Sequence, residues 1–210
     1  MGPFPAPGDA DRTPGGSGEH ERFRDVVTPH LKQMLDVSSP HAYEDAKLLC
    51  LSFASALLEG RTLMPEYRDW QQGTDQLFAY RYLRTTLQAL TWLRGGERWL
   101  LKSPQHAEHL PALKAVFPDA TVVFTHRDPV KVTASLPMLR AYTMRRTLHP
   151  IDLRAVGRYW TQRTERFLER LLEHRALFPA EQSIDVDPAR LRQRVSAYAD
   201  HFGTRLEPCQ

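Results

Sequence analysis

The run VVFTHRDPVKVTAS, residues 122–135, holds the side chains of this chain best suited to gripping an anion. Arg127 offers a planar fork of N–H donors that matches phosphate or carboxylate. Asp128 and Pro129 follow, a helix-capping type and then a residue with no N–H to leave unpaired. A helix is therefore expected to begin there, with its free backbone N–H groups and positive end available to a ligand. Ser135 falls about 9 Å along that helix at about 1.5 Å per residue, its side chain tilted back toward the N-terminus. One phosphate can touch both residues. A plainer reading stands beside this one, in which Arg127 salt-bridges Asp128 or Glu108 and Ser135 faces a neighbouring helix.

Positioning these groups falls to the stretch Arg98–Ser135. Trp99, Leu100 and Leu101 form a short apolar run flanked by charge, and Ala120–Thr125 forms a second run rich in β-branched residues. Both read as buried strands. Between them Leu110, Leu113, Val116 and Phe117 share one helical face, and Pro118-Asp119 closes that helix. The pattern predicts a right-handed crossover unit whose two loops open on one edge of a parallel sheet, hence an α/β fold.

These residues also carry a family resemblance. VVFTHRDPVKVTAS resembles the 3′-phosphate-binding motif of sulfotransferases that use 3′-phosphoadenosine 5′-phosphosulfate (PAPS): a strand, an Arg, and a Ser eight residues later near the start of a helix. The preceding RWLLKSPQHAEHLPALKAVFPDA is similar to the segment before that motif in a bacterial branch of the family. The similarity extends from about Phe23 to Phe202. It implies a P-loop-type three-layer parallel sheet, transfer of a sulfuryl group to a hydroxyl or amine of a small-molecule acceptor, and Arg127 and Ser135 on the donor's 3′-phosphate.

In-line sulfuryl transfer needs a base for the acceptor, cations for the leaving phosphate and a grip on both ends of the donor. The loop Lys102-Ser103-Pro104-Gln105-His106 is expected at the carboxyl end of the first strand, where such groups belong. Lys102 can neutralise charge building on the donor, and His106, with an unperturbed pKa near neutrality, is a candidate general base. Equally, Lys102 reads as a solvated loop lysine and His106 as a cap for a helix starting near Ala107. In the cytosolic branch of the family the catalytic His stands two residues after the corresponding Lys; here that position is Pro104, and His106 lies two residues further on. His126, His109 and His41 are weaker candidates.

The resemblance also implies an opening strand, a Gly- and Thr-bearing loop around the 5′-phosphosulfate, and a helix. Nothing in Met1–Asp36 matches that unit, and no Gly-rich loop stands out toward the C-terminus. The sheet is therefore expected to be incomplete and the chain to be a truncated or degenerate member. Two functions stay open: a PAPS-dependent sulfotransferase, and a noncatalytic nucleotide-binding or interaction module derived from the same fold.

Composition bounds the alternatives. The chain has 210 residues, 41% of them apolar, enough for one well-filled core. With 28 basic and 25 acidic residues interspersed, the net charge of +3 suits an anionic small ligand and gives no basic face for nucleic acid. Cys50 and Cys209 are far apart, so no metal site or disulfide framework is expected, and a reducing, cytoplasmic setting fits. No run approaches the ~20 apolar residues a membrane span needs. Met1–His20, rich in Pro and Gly, is expected to be a disordered tail, leaving residues 21–206 as one domain.

Outside the central stretch, helices are expected over Arg22–Asp36 (kinked at Pro29), Ala42–Leu58, Thr74–Leu93, onward from Ser135 through Tyr142, over Asp152–Leu177, and over Pro188–His201, with a short strand at Gln182–Val186. Phe23, Val26, Val27, Leu31 and Leu35 should share a face of the first. In the long helix Val156, Tyr159, Trp160, Phe167, Leu168, Leu171 and Leu172 should point inward, and Arg163, Glu165, Arg166, Glu169, Arg170 and Glu173 should form a solvated face. Tyr67 and Trp70 flank a Pro-containing turn, where they either line an acceptor pocket or serve as packing.

Overall fold

A computed structural model describes residues 22–23, 25–34 and 44–187. Helical backbone at 22–23 and 25–27 is followed by α1 (Leu31–Met34), α2 (Ala46–Leu49), α3 (Pro65–Gly73), α4 (Leu77–Arg94), a 3-10 turn over Pro104–Glu108, and α5 (Leu110–Val116). Strand β1 (Val122–Thr125) comes next, then α6 (Pro129–Met144), α7 (Leu153–His174) and strand β2 (Ser183–Val186). The two strands pair in parallel with Val122 opposite Ser183 and Thr125 opposite Val186. Helix predominates around a small parallel sheet, as an α/β chain with a large helical share requires.

One core forms where α4 and α5 pack over β1. Ala79, Tyr80, Leu83 and Leu87 line one face of α4 at helical spacing, and Leu110, Leu113 and Val116 line α5. Phe124 of β1 meets Phe178 edge-on, with ring centroids 6.5 Å apart. Each fully buried aliphatic or aromatic side chain there contributes roughly 1.5–3 kcal/mol. A second core joins α6 to α7 through Met144, Val156, Tyr159 and Trp160. Gly95 ends α4 at φ 73°, a conformation costly for any residue with a Cβ.

Several expectations change. Trp99–Leu101 is irregular, with Trp99 45% and Leu100 96% exposed, and among the described residues no strand precedes Val122. A three-residue apolar run has no period to distinguish a strand from a surface connection. The helix expected over Ala42–Leu58 lasts only through Leu49 and one 3-10 turn, because Phe53 turns left-handed at φ 56° and Ser55 Oγ bonds back to Ala46 O at 2.8 Å. At Pro29 the first helix breaks rather than kinks, and Phe23 and Val26 are exposed while Leu31 is buried. Residues Pro65–Gly73 are a helix, with Tyr67 and Trp70 packed on each other inside it at 5.6 Å. On α7, Leu168 and Leu172 are exposed, and Arg163 is 0% exposed instead of solvated.

The remaining elements match. α4, α6, α7 and β2 lie where expected, and Asp128 caps α6. The expected tail over Met1–His20, Leu35 and the helix over Pro188–His201 lie outside the described residues.

Candidate functional site

The turn from β1 into α6 is built as its residue types demand. Asp128 accepts from Val130 N at 2.9 Å and Lys131 N at 3.3 Å, and Pro129 occupies the first helical position. Backbone pairing continues one residue past β1, where His126 N donates to Val186 O at 2.8 Å. The His126 ring also meets Asp185 Oδ1 at 2.7 Å, and Arg175 donates to Asp185 Oδ2 at 2.6 Å while stacking over Phe124 at 4.3 Å. Hydrogen bonds from Arg175, and then from His126, hold the Asp185 carboxyl below the usual carboxylate range. Both strands thus end in a cross-linked edge directly before Arg127.

Arg127 itself is exposed, and no described carboxylate pairs with it. The salt bridges to Asp128 or Glu108 are absent: Asp128 is spent on the helix cap and Glu108 binds Arg163. Ser135 is also exposed, its hydroxyl donating to Val132 O at 3.3 Å within its own helix. Such an intrahelical bond is weak and easily exchanged for a ligand oxygen.

Lys102 and His106 share a different support. The exposed Lys102 ammonium pairs with Glu44, and His106 Nε2 lies 3.0 Å from Asp45 Oδ2, the next residue. His106 Nδ1 is 2.8 Å from the hydroxyl of the fully buried Tyr80 on α4. Burial first, then the charges of Asp45 and Glu108, push the Tyr80 phenol well above its ordinary range, so it stays protonated. The phenol thus engages Nδ1, while Nε2 stands within ion-pair distance of the Asp45 carboxylate without a hydrogen bond to it. The residue lies inside the 3-10 turn Pro104–Glu108 and does not cap a helix at Ala107.

Beside His106, Gln105 is a connector the sequence reading passed over. Its side chain accepts from Ala56 N at 3.0 Å and donates to Ala54 O at 3.0 Å, fastening the turn that ends α2. Further along the same 3-10 turn, Glu108 enters a buried polar cluster. Arg163 ion-pairs with Glu108 and with Glu59 (3.0 Å) and donates to Gln71 at 2.5 Å, while Tyr159 donates to Glu59 at 2.6 Å. Burial raises the Glu108 pKa, against the lowering effect of Arg163. This cluster ties α7 to the turn that carries His106. The signal for it was in the sequence: Arg163 falls three and four residues after Trp160 and Tyr159, on the buried stripe of α7. The structure thus places Lys102 and His106 on the adjacent residues Glu44 and Asp45, Arg127 just before α6 and Ser135 at the seventh residue of that helix.

Comparison with known proteins agrees with this architecture. A model of the sulfotransferase family matches residues 9–195. The crystal structure of sulfotransferase STF1 from Mycobacterium tuberculosis H37Rv is similar over 97% of this chain, with 29% identity and a TM-score of 0.68. Sulfotransferase STF9 from Mycobacterium avium shares the fold over 83% of the chain, at 24% identity and a TM-score of 0.65. The chain covers 59% of the STF1 chain and 50% of the STF9 chain. No curated protein matches it.

Proposed function

Because this chain belongs to the sulfotransferase family, we propose that it serves sulfuryl transfer from PAPS to a hydroxyl or amine of a small-molecule acceptor. The observation that carries this reading is the β1–α6 turn, where an exposed Arg127 with no described carboxylate partner adjoins the capped N-terminus of a 16-residue helix. The Val130 and Lys131 N–H groups are already taken by Asp128, so the grip on an anion at this turn rests on the guanidinium, a bidentate, charge-assisted donor. In this reading Arg127 and Ser135 hold the 3′-phosphate, and Lys102 exchanges Glu44 for the charge that builds on the leaving phosphate. The acceptor oxygen or nitrogen attacks sulfur as the bond to the leaving phosphate breaks. His106 receives the acceptor proton, which requires the Tyr80 hydroxyl to give up Nδ1. No metal is needed for these steps.

A second reading has its own support. His106 Nδ1 is held by the Tyr80 hydroxyl, and no strand precedes Val122 among the described residues. A noncatalytic module that keeps the 3′-phosphate grip and has lost transfer fits both facts. A transfer assay with radiolabelled PAPS against a panel of phenols, alcohols and amines separates the two. The enzyme reading expects turnover that falls at least tenfold in Lys102→Ala; nucleotide binding without transfer to any acceptor would establish the module.

A further inference from the structure

The described sheet has two strands and leaves one edge of β1 unpaired. Val122 N and His126 N donate to Gln182 O and Val186 O, so the even-numbered residues of β1 turn their backbone groups toward β2. The N–H and C=O groups of Thr121, Val123 and Thr125 therefore point the other way. Their side chains are exposed as well, Val123 at 54%, and its register partner Ile184 is 55% exposed. An unpaired edge beside an open apolar face is a template for a further strand. Which strand fits follows from the residues around Val123. Thr121 and Thr125 stand two residues to either side of it, and Asp119 and Arg127 stand four. Asp119 is exposed in the turn that enters β1 and Arg127 where the chain leaves it, and neither has an ion-pair partner among the described residues. The stretch is thus complementary to a reversed copy of itself: Val123 meets Val123, each Thr121 meets a Thr125, and each Asp119 meets an Arg127. All these positions are odd-numbered, so reversal joins open-edge residue to open-edge residue, as an antiparallel ladder requires. β-branched pairs, Thr–Thr pairs and opposite charges are the cross-strand combinations that stabilise a sheet. The outer edge of β2 lacks this property, because Glu181, Asp185 and Asp187 lie along it and two copies would set acid against acid.

We propose that the open edge of β1 is a self-association surface, on which a second copy of this chain pairs antiparallel about a two-fold axis at Val123 and each end is closed by an Asp119–Arg127 ion pair between copies. The two sheets become one, in the order β2–β1–β1–β2, and Val123 and Ile184 of both copies form a single apolar row across its open face. Such a contact uses the same patch on both partners and closes at two copies. Arg127 is then shared between the second copy and any anion ligand, and the two compete for it. The pairing itself does not rest on the donor reading.

The test is sedimentation velocity of the full chain over roughly a hundredfold range of concentration, in buffer free of nucleotide and phosphate so that the outcome is independent of the donor site. The wild type is expected to pass from a single 24.2 kDa chain to a species of twice that mass. Val123→Lys, which places a charge on the open edge, is expected to weaken the association by about tenfold or more, as are Asp119→Arg and Arg127→Asp singly. Asp119→Arg/Arg127→Asp together should restore it, because the two charges only exchange places between copies. In the wild type, amide hydrogen exchange at Thr121, Val123 and Thr125 should slow as concentration rises, a readout that needs no variant. A chain that stays single over the whole range, or a dimer without that protection, would overturn the proposal. So would a dimer that none of these substitutions weakens, or a folded double variant that associates no better than the single ones.

Discussion

Arg163 shows how much one side chain holds. It is fully buried, and two carboxylates, Glu59 and Glu108, are nearly as deep. Removing the cation alone leaves uncompensated buried charge, which costs about 3–5 kcal/mol, whereas neutralising the whole group can be nearly free. Arg163→Met is therefore expected to lower unfolding stability by about 3–5 kcal/mol in urea denaturation, and Glu59→Gln/Arg163→Met/Glu108→Gln to recover most of it. A loss under about 1 kcal/mol for Arg163→Met would mean that the cluster is solvated. Composition hid this residue, since α7 carries Arg and Glu throughout and a charge there reads as surface. Its register with Tyr159 and Trp160 did not hide it. By contrast, Arg127, Asp128 and Ser135 were legible because capping chemistry is local: the types Asp-Pro fix where the helix begins without any tertiary partner.

At the scale of elements, local signals and tertiary ones part company. The helices α4, α6 and α7 are long and periodic, with definite ends at Gly95, Asp128 and Asp152, and their places were readable. The short apolar runs were not equally readable. Ala120–Thr125 holds β1, which is not a fully buried strand as expected, since Phe124 faces the core but Val123 and Thr125 are exposed, while Trp99–Leu101 lies outside any described ladder. Nothing within three residues distinguishes them; β2 provides the pairing partner for one, and no described strand does so for the other. This difference makes a contrast in stability. Leu100→Lys is expected to change unfolding free energy by less than about 0.5 kcal/mol, because the side chain is already in water. Phe124→Ala is expected to cost about 3–5 kcal/mol through the cavity left beside Phe178. A loss above about 2 kcal/mol for Leu100→Lys, measured by the same denaturation, would show that the run is buried against something in solution.

On the scale of the molecule, two cores and one buried polar cluster support two separate groups of candidate residues. The β1–α6 turn rests on the sheet edge cross-linked through Asp185, and the Lys102–His106 loop rests on Glu44, Asp45 and Tyr80. The family was legible because the strand, turn and capped helix around Arg127 form a contiguous motif. The partnering of His106 was not, because Asp45 and Tyr80 reach it across 61 and 26 residues of chain. The chain spans 59% and 50% of the two sulfotransferase chains it resembles, and the central claim is that its own β1–α6 turn grips a nucleotide phosphate. Calorimetric titration of the full chain with adenosine 3′,5′-bisphosphate, repeated on Arg127→Ala and Ser135→Ala, addresses this most directly. The account predicts saturable binding in the wild type, a loss of at least tenfold in Arg127→Ala and a smaller loss in Ser135→Ala. A folded wild-type chain that takes up no bisphosphate, or an Arg127→Ala variant that binds it equally well, would contradict it.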